Sequence, residues 1–234
     1  MKIDWQKTIE QYRGRWGVAG IDLSSVNDLT CVVYMFPDDE DRTQVDVLMR
    51  VWCPESKLHD KKNKYLEQYQ TWARQGWIHV TEGNAIDYDF VRKEIVNDSS
   101  VFELGLIGVD RAFDGVGFSI KLQEDLGHTE KKPIVITCTN HPTKIGPACQ
   151  ELERRLLERK INHGGNPILR FMVDSVAVRQ DADGNKKPDK DKSQGKIDGV
   201  ISMLYALDRL MRSTKPKSVY DGLSADEIMA RIRM

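Results

Sequence analysis

The chain has no long apolar run, few cysteines and no surplus of either charge, and each shortage removes a class of protein. No stretch approaches 18 consecutive apolar residues, and the opening MKIDWQKTIEQYRGRW lacks the apolar core of a signal peptide, so neither a membrane span nor a secretory leader is expected. Cys31, Cys53, Cys138 and Cys149 form no CxxC pair, which leaves no thiolate zinc knuckle or dithiol redox motif and fits reduced thiols. The five histidines show neither HxH nor HExxH spacing; GxSxG and GxxxxGK[ST] are also missing, so a serine elbow and a P-loop ATPase are not expected. Lys and Arg total 35 against 36 Asp and Glu, a net charge of -1, so any nucleic-acid surface must be a local basic patch.

What is present is a 234-residue globular composition, 40% hydrophobic and 30% charged, large enough to bury a core without disulfide or metal staples. Trp5, Ile9, Tyr12 and Trp16 are spaced as one helical face, so residues 1–16 read as an N-terminal helix or linker remnant. GVAGIDL (17–23) and TCVVYMF (30–36), separated by SSVND, read as an antiparallel hairpin, and QVDVLMRVWCP (44–54) as a third strand of a meander. Helical spacing predicts helices over 61–75, 87–98, 114–126, 145–161 (Pro147 in its first turn) and 196–212, with WIHV (77–80) extended. Buried strands are predicted at 104–110 and 134–138 between them, an α/β alternation. The segment 166–180 runs into DADGN, a turn cluster that closes a hairpin. Residues 17–212 are thus expected to form the main domain and 213–234 a polar, Pro-interrupted tail with a small helix at 224–233.

Three aspartates stand where apolar residues belong. Asp22 shares a strand face with Val18 and Gly20, and those small residues leave room for something to approach. Asp110 ends a buried strand at the carboxyl edge, where α/β sheets place their sites, and Asp198 opens the last helix beside Gly199. Singly, each has an ordinary explanation: a helix-start acid for Asp198, a turn former paired with Arg111 for Asp110. Asp22, inside an apolar run without a basic neighbour in sequence, is the hardest to explain so. A half-buried carboxylate is costly unless paired or bound to a cation. Hard oxygen ligands suit Mg²⁺ or Mn²⁺, and two such ions about 4 Å apart can drive phosphodiester hydrolysis without His or Cys.

Other motifs are weaker. DADGNKKPDKDK (181–192) starts like a calcium loop, but its glycine is fourth rather than sixth and Lys192 stands where the acid belongs, so it reads as a turn. His163, beside Gly164 and Gly165, reads as a loop residue. Arg179, Lys186, Lys187, Lys190, Lys192 and Lys196 could grip phosphates from an exposed hairpin, or simply face solvent.

Four blocks in order carry more information than any one: GIDLSSVNDLT, LIGVDR, INHGGNPILRFM and GNKKPDKDKSQGKIDGVISMLYAL. From about Trp16 to Met211 the chain resembles the C-terminal nuclease domain of tailed-bacteriophage large terminase subunits, the DNA-packaging motors. The resemblance implies an RNase H-like α/β fold, a mixed sheet flanked by helices, with 17–212 as the nuclease domain. It puts the family's metal-binding, catalytic acids on Asp22, Asp110 and Asp198, with two Mg²⁺ or Mn²⁺ ions, Asp22 bridging both and the other two each completing one. The implied activity is endonucleolytic cleavage of concatemeric double-stranded DNA by attack of water, leaving a 5′-phosphate and a 3′-hydroxyl.

By the same likeness the hairpin around Asp183 and Gly184 lies near the site, contacting DNA or restricting access. Implied partners are double-stranded DNA, a terminase ATPase domain, a small terminase subunit and a portal ring, in the host cytoplasm and without a membrane. Relatives carry an ATPase with a Walker A loop; this chain has none and resembles an isolated nuclease domain, without ATP-driven translocation. Where relatives often have a neutral polar pair stand Asp174 and Ser175, so Asp174 is either an added ligand or a strand-edge acid, and Asp114 is a second such candidate. Two alternatives stay open: another RNase H-like enzyme of resolvase or transposase type, and a non-catalytic DNA-binding or docking module.

Overall fold

Two runs of the chain, 16–22 and 30–37, are apolar on both faces, and a strand of that kind must be covered on both sides. The computed structural model, which describes residues 2–24, 29–112, 114–129 and 131–213, buries every residue of both. In chain order the elements are α1 (Trp5–Glu10), β1 (Trp16–Asp22), β2 (Thr30–Pro37), β3 (Val45–Pro54), α2 (Leu66–Arg74), β4 (Ile78–Thr81), α3 (Tyr88–Ser99) and β5 (Glu103–Asp110). They continue with α4 (Gly115–Asp125), β6 (Val135–Cys138), α5 (Pro142–Leu157), β7 (Ile161–Asn162), α6 (Pro167–Ser175), β8 (Val178–Gln180), β9 (Lys186–Pro188) and α7 (Asp198–Arg212). A short 3₁₀ turn, Glu55–Leu58, follows β3.

The main sheet runs β4-β3-β2-β1-β5-β6, with β7 joined to β3 off that path. The β1–β2–β3 meander is antiparallel, whereas β1/β5, β5/β6, β3/β4 and β3/β7 are parallel. This is the expected mixed sheet. Alternate residues of β1 divide the core: Val18 belongs to the cluster beneath α7, with Met203, Leu204 and Leu207, while Ala19 and Ile21 belong to the cluster with Ile95 of α3 and Phe118 of α4. The β8–β9 hairpin is a separate two-stranded ribbon.

Several boundaries differ from the sequence reading for local reasons. The N-terminal helix stops at Glu10 and Trp16 opens β1, because Gly14, at φ 70°, turns the chain. The helix expected from 61 begins at Leu66: the Asp60 and Asn63 carboxyl and amide oxygens accept from the Lys62 and Tyr65 N–H groups and hold the preceding residues in turns. α5 begins at Pro142 rather than 145, which makes Pro142 the first-turn proline and places Pro147 inside the helix. Residues 167–175 are helical, capped by the Asn166 side chain on the N–H groups of Ile168 and Leu169, so Asp174 lies exposed in a helix and not at a strand edge. The SSVND spacer beyond Ser24 and the helix expected at 224–233 lie outside the described residues.

Candidate active site

The parallel β1/β5 register pairs Gly20 with Gly108 and Ile21 with Val109, so Asp22 and Asp110 end adjacent strands side by side. α7 brings the third acid. A Cβ on Gly20 would stand 1.9 Å from the Ser202 carbonyl oxygen, and one on Gly108 would meet Cys138, Tyr205 and Arg209, so both glycines let the helix lie directly on the strands. The room noted beneath Asp22 is filled by the α7 backbone. Ser202 fixes the contact: the Asp22 N–H donates to its Oγ at 3.0 Å, and that hydroxyl lies 2.9 Å from the Cys31 and Asp198 carbonyl oxygens. Asp198 is the first residue of α7, where the helix dipole favours a negative charge.

Asp22 and Asp198 are buried and Asp110 is half-buried. Burial pushes the Asp22 carboxyl well above its ordinary pKa; Asp198 and Asp110 push the same way, and Lys190 opposes them. Lys190 Nζ donates to Asp22 Oδ2 at 3.1 Å and to Asp198 Oδ1 at 3.3 Å. Burial alone would lower the Lys190 pKa, but the two carboxylates outweigh it and raise it. Asp110 accepts from the Tyr205 hydroxyl at 3.0 Å and from the Ala112 N–H at 2.9 Å. Tyr205 is raised in turn, by burial first and then by Asp110.

The three acids therefore converge on one edge of the sheet. Among the described residues, however, no group of three or more His, Cys, Asp or Glu side chains is arranged to hold a metal ion. The ammonium between Asp22 and Asp198 and the tyrosine on Asp110 each engage one oxygen of these carboxylates. By donor chemistry the set suits a hard divalent cation: three carboxylates against one lysine leave a net charge of -2.

The other candidates scatter. Asp114 is exposed just before α4, near enough to Tyr88 to raise that phenol together with burial. Asp181 Oδ1 accepts from the N–H groups of Asp183 and Asn185, and Gly184 has φ 86°, so DADGN is the expected turn. The hairpin cations do not share one face. Lys186 pairs with Glu153 of α5 at 2.6 Å, Lys187 donates to the Asn140 carbonyl at 3.0 Å, and Lys190 turns inward to the acids. Arg179 and Lys192 are exposed, and Lys196 faces a cleft beside the 3₁₀ turn.

Sequence reasoning passed over Tyr205, Ser202 and Asp189. Asp189 is buried, and its Oδ1 accepts from the Asp191 and Lys192 N–H groups, which shapes the loop that aims Lys190. The Pro-Asp-Lys-Asp sequence carries that turn signal.

The chain is similar to known proteins. The family model described as "Terminase large subunit, endonuclease domain" matches residues 2–214. The chain is 32% identical over 197 residues to the large terminase subunit of Enterobacteria phage HK97, covering 81% of this chain and 36% of that protein. It is 25% identical over 238 residues to protein YmfN of Escherichia coli K12, covering 95% of this chain and 50% of that protein. The crystal structure of the HK97 large terminase superposes with a TM-score of 0.74 at 28% identity, over 88% of this chain and 43% of that one. The large terminase nuclease of thermophilic phage G20c, solved with bound magnesium, shares the fold at a TM-score of 0.53 and 9% identity, over 83% and 82% of the two chains. The chain spans half or less of the curated relatives it matches. It belongs to the endonuclease-domain family of tailed-phage large terminase subunits, the DNA-packaging proteins, and has their RNase H-like fold.

Proposed function

We propose that the chain is a divalent-metal-dependent endodeoxyribonuclease that cuts concatemeric double-stranded DNA during packaging, with Asp22, Asp110 and Asp198 as its catalytic, metal-binding residues. The single observation that carries this is the convergence of three carboxylates at one sheet edge, two of them buried, with Asp22 raised by both others. Family membership supports a nuclease, and the magnesium bound by the G20c relative supports the choice of ion.

Two Mg²⁺ or Mn²⁺ ions, when bound, would supply Lewis-acid activation of water and neutralise charge at the leaving 3′-oxygen. The chain's own contribution is to hold the ligands. The strand ends fix Asp22 beside Asp110, Ser202 pins the Asp22 backbone, and Tyr205 orients Asp110 through its hydroxyl. Lys190 steadies Asp22 and Asp198 against mutual repulsion and must release them as ligands. Arg179, Lys186 and Lys187 of the β8–β9 ribbon and Lys192 of the loop after it are proposed as auxiliary DNA contacts.

Double-stranded DNA, a packaging ATPase domain, a small terminase subunit and a portal ring are the proposed partners, and the host cytoplasm the proposed site of action. No helix among the described residues is long and apolar enough to cross a membrane.

Nicking of supercoiled plasmid in Mn²⁺ tests the reading. Asp22→Ala, Asp110→Ala and Asp198→Ala should each abolish nicking with the circular dichroism spectrum retained. Nicking that survives all three substitutions would show that these acids are not the catalytic residues, and no nicking by the unsubstituted chain would place it among DNA-docking modules. Preference for branched over linear duplexes would favour a resolvase-type enzyme.

A further inference from the structure

A cleft of about 350 Å³ lies beside the acids, on the side of the sheet beyond β3. Five lysines line it, Lys57, Lys62, Lys64, Lys190 and Lys196, and no acidic residue does. They come from three places: the 3₁₀ turn after β3, the turns before α2, and the loop between β9 and α7. The wall is built rather than incidental. Lys64 Nζ donates to the Gln194 carbonyl at 2.5 Å, and the Tyr65 hydroxyl donates to the same oxygen, which docks the β9–α7 loop on the residues preceding α2. Lys62 and Lys64 are exposed, while Lys57 meets Asp60 at 3.2 Å.

Lys57 and Lys190 are paired with Asp60 and with Asp22 and Asp198, yet the lining as a whole presents lysines and no carboxylate, a local basic patch in a chain of net charge -1. The cleft adjoins the acids through Lys190, which lines it and also touches Asp22 and Asp198. Such a lining suits a polyanionic ligand, and its position beside Lys190 suits one that also reaches the carboxylates. Chemistry of that kind belongs to a sugar–phosphate backbone.

We propose that this cleft seats the phosphate backbone of the duplex on one side of the cut, with Lys57, Lys62 and Lys64 as positioning residues that deliver the scissile phosphate to Asp22 and Asp198. The assignment rests on the nuclease reading above. It differs from what the sequence suggested, since two of the best-placed cations, Lys62 and Lys64, lie far from the β8–β9 hairpin in the chain.

The test is binding of a fluorescein-labelled duplex of about 30 base pairs, followed by anisotropy in EDTA across roughly 50–200 mM salt. Lys62→Ala/Lys64→Ala should lower the steepness of log Kobs against log salt by about 2, and weaken binding tenfold or more, alike for unrelated sequences. Lys62→Arg/Lys64→Arg should restore both. Lys93→Ala/Lys121→Ala, on α3 and α4 across the sheet, should leave the slope unchanged. An unchanged slope in the Lys62→Ala/Lys64→Ala protein, or an equal loss in the Lys93→Ala/Lys121→Ala protein, would overturn the assignment.

Plasmid nicking in Mn²⁺ separates this from the parent reading. If Asp22→Ala is inactive and the salt slope does not respond to the cleft, only the cleft is wrong. If Asp22→Ala nicks normally, the nuclease site itself is wrong.

Discussion

Lys190 Nζ stands 3.1 Å from Asp22 Oδ2, and this contact joins a loop residue to the innermost acid of the sheet, 168 positions away. The same ammonium reaches Asp198, so one lysine holds two carboxylates that would otherwise repel. On the proposed reading, a divalent cation held by the same carboxylates competes with it.

Replacing Lys190 with methionine should therefore shift stability and metal affinity in opposite directions. Charge-assisted hydrogen bonds contribute about 1.5–3 kcal/mol each, and the half-exposed position of Lys190 reduces that, so the metal-free variant should lose about 1–2 kcal/mol. Mn²⁺ binding should tighten about tenfold, the equivalent of about 1.4 kcal/mol, because no ammonium competes. Thermal melts in EDTA and calorimetric Mn²⁺ titration measure the two effects. Weaker Mn²⁺ binding by Lys190→Met would mean that the lysine assists ligation instead of competing with it.

Asp22→Asn should stabilise the metal-free protein, and more so at higher pH. The folded-state pKa of Asp22 lies above the ordinary 3.8, so the stability tied to its protonated form is complete below that value and is lost as pH rises through the folded pKa. Asparagine removes this loss and leaves Lys190 with one carboxylate, a neutral pair. Melting temperature should rise by about 2–4 °C for each kcal/mol relieved, with a larger gain near pH 8 than near pH 5. Equal gains at both values would contradict the raised pKa.

The three acids were legible in the sequence because an aspartate within or at the end of an apolar run is costly wherever the chain folds. GIDL, GVD and IDG each pair that acid with a glycine, and Gly20 and Gly108 are what let α7 approach. The direction of Lys190 was not legible, since it depends on the turn that Asp189 makes and on the helix start that Asp198 occupies, two features that meet only in three dimensions. The cleft lysines were hidden for the same reason: Lys62 and Lys64 lie about 130 residues before Gln194, whose loop completes the wall. α6 departs from the sequence expectation for a different reason. Asn166-Pro167 is a good helix start, but the Val-rich stretch after it and the DADGN turn carry strand and hairpin signals of their own, which the cap outweighs.

Gly20→Ala tests how closely α7 must lie on β1. The added Cβ would fall 1.9 Å from the Ser202 carbonyl oxygen and 2.4 Å from the Ala206 nitrogen, both backbone atoms that cannot rotate away. Overpacking of this kind should cost about 3 kcal/mol or more, read as a fall in the urea midpoint. Gly14→Ala is the control for backbone conformation alone. Its φ is 70° with nothing within 4 Å of the new atom, so its cost should stay near 1–2 kcal/mol. Similar losses at the two positions would mean that the helix shifts freely.

His79 gives the fold an acid sensitivity remote from the carboxylates. Its ring stacks on Trp52, lies 5.1 Å from the Trp5 ring, and accepts a 3.3 Å hydrogen bond from Arg50 Nε, while Arg50 is itself bound by Asp98 and Glu94. Burial, reinforced by the neighbouring guanidinium, pulls the imidazole pKa down to about 3. The native protein therefore keeps His79 neutral in a range where the unfolded chain protonates it, and stability is lost as pH falls below the ordinary value of 6.5 towards 3. Between about pH 7 and about pH 4.5 this one group should remove about 2–3 kcal/mol. His79→Gln retains an oxygen to accept from Arg50 but binds no proton, so its urea midpoint should fall less over that interval than that of the unsubstituted chain. Parallel midpoint curves for the two proteins would show that His79 is protonated equally in the folded and unfolded states, and the neutral imidazole against Arg50 would have to be abandoned.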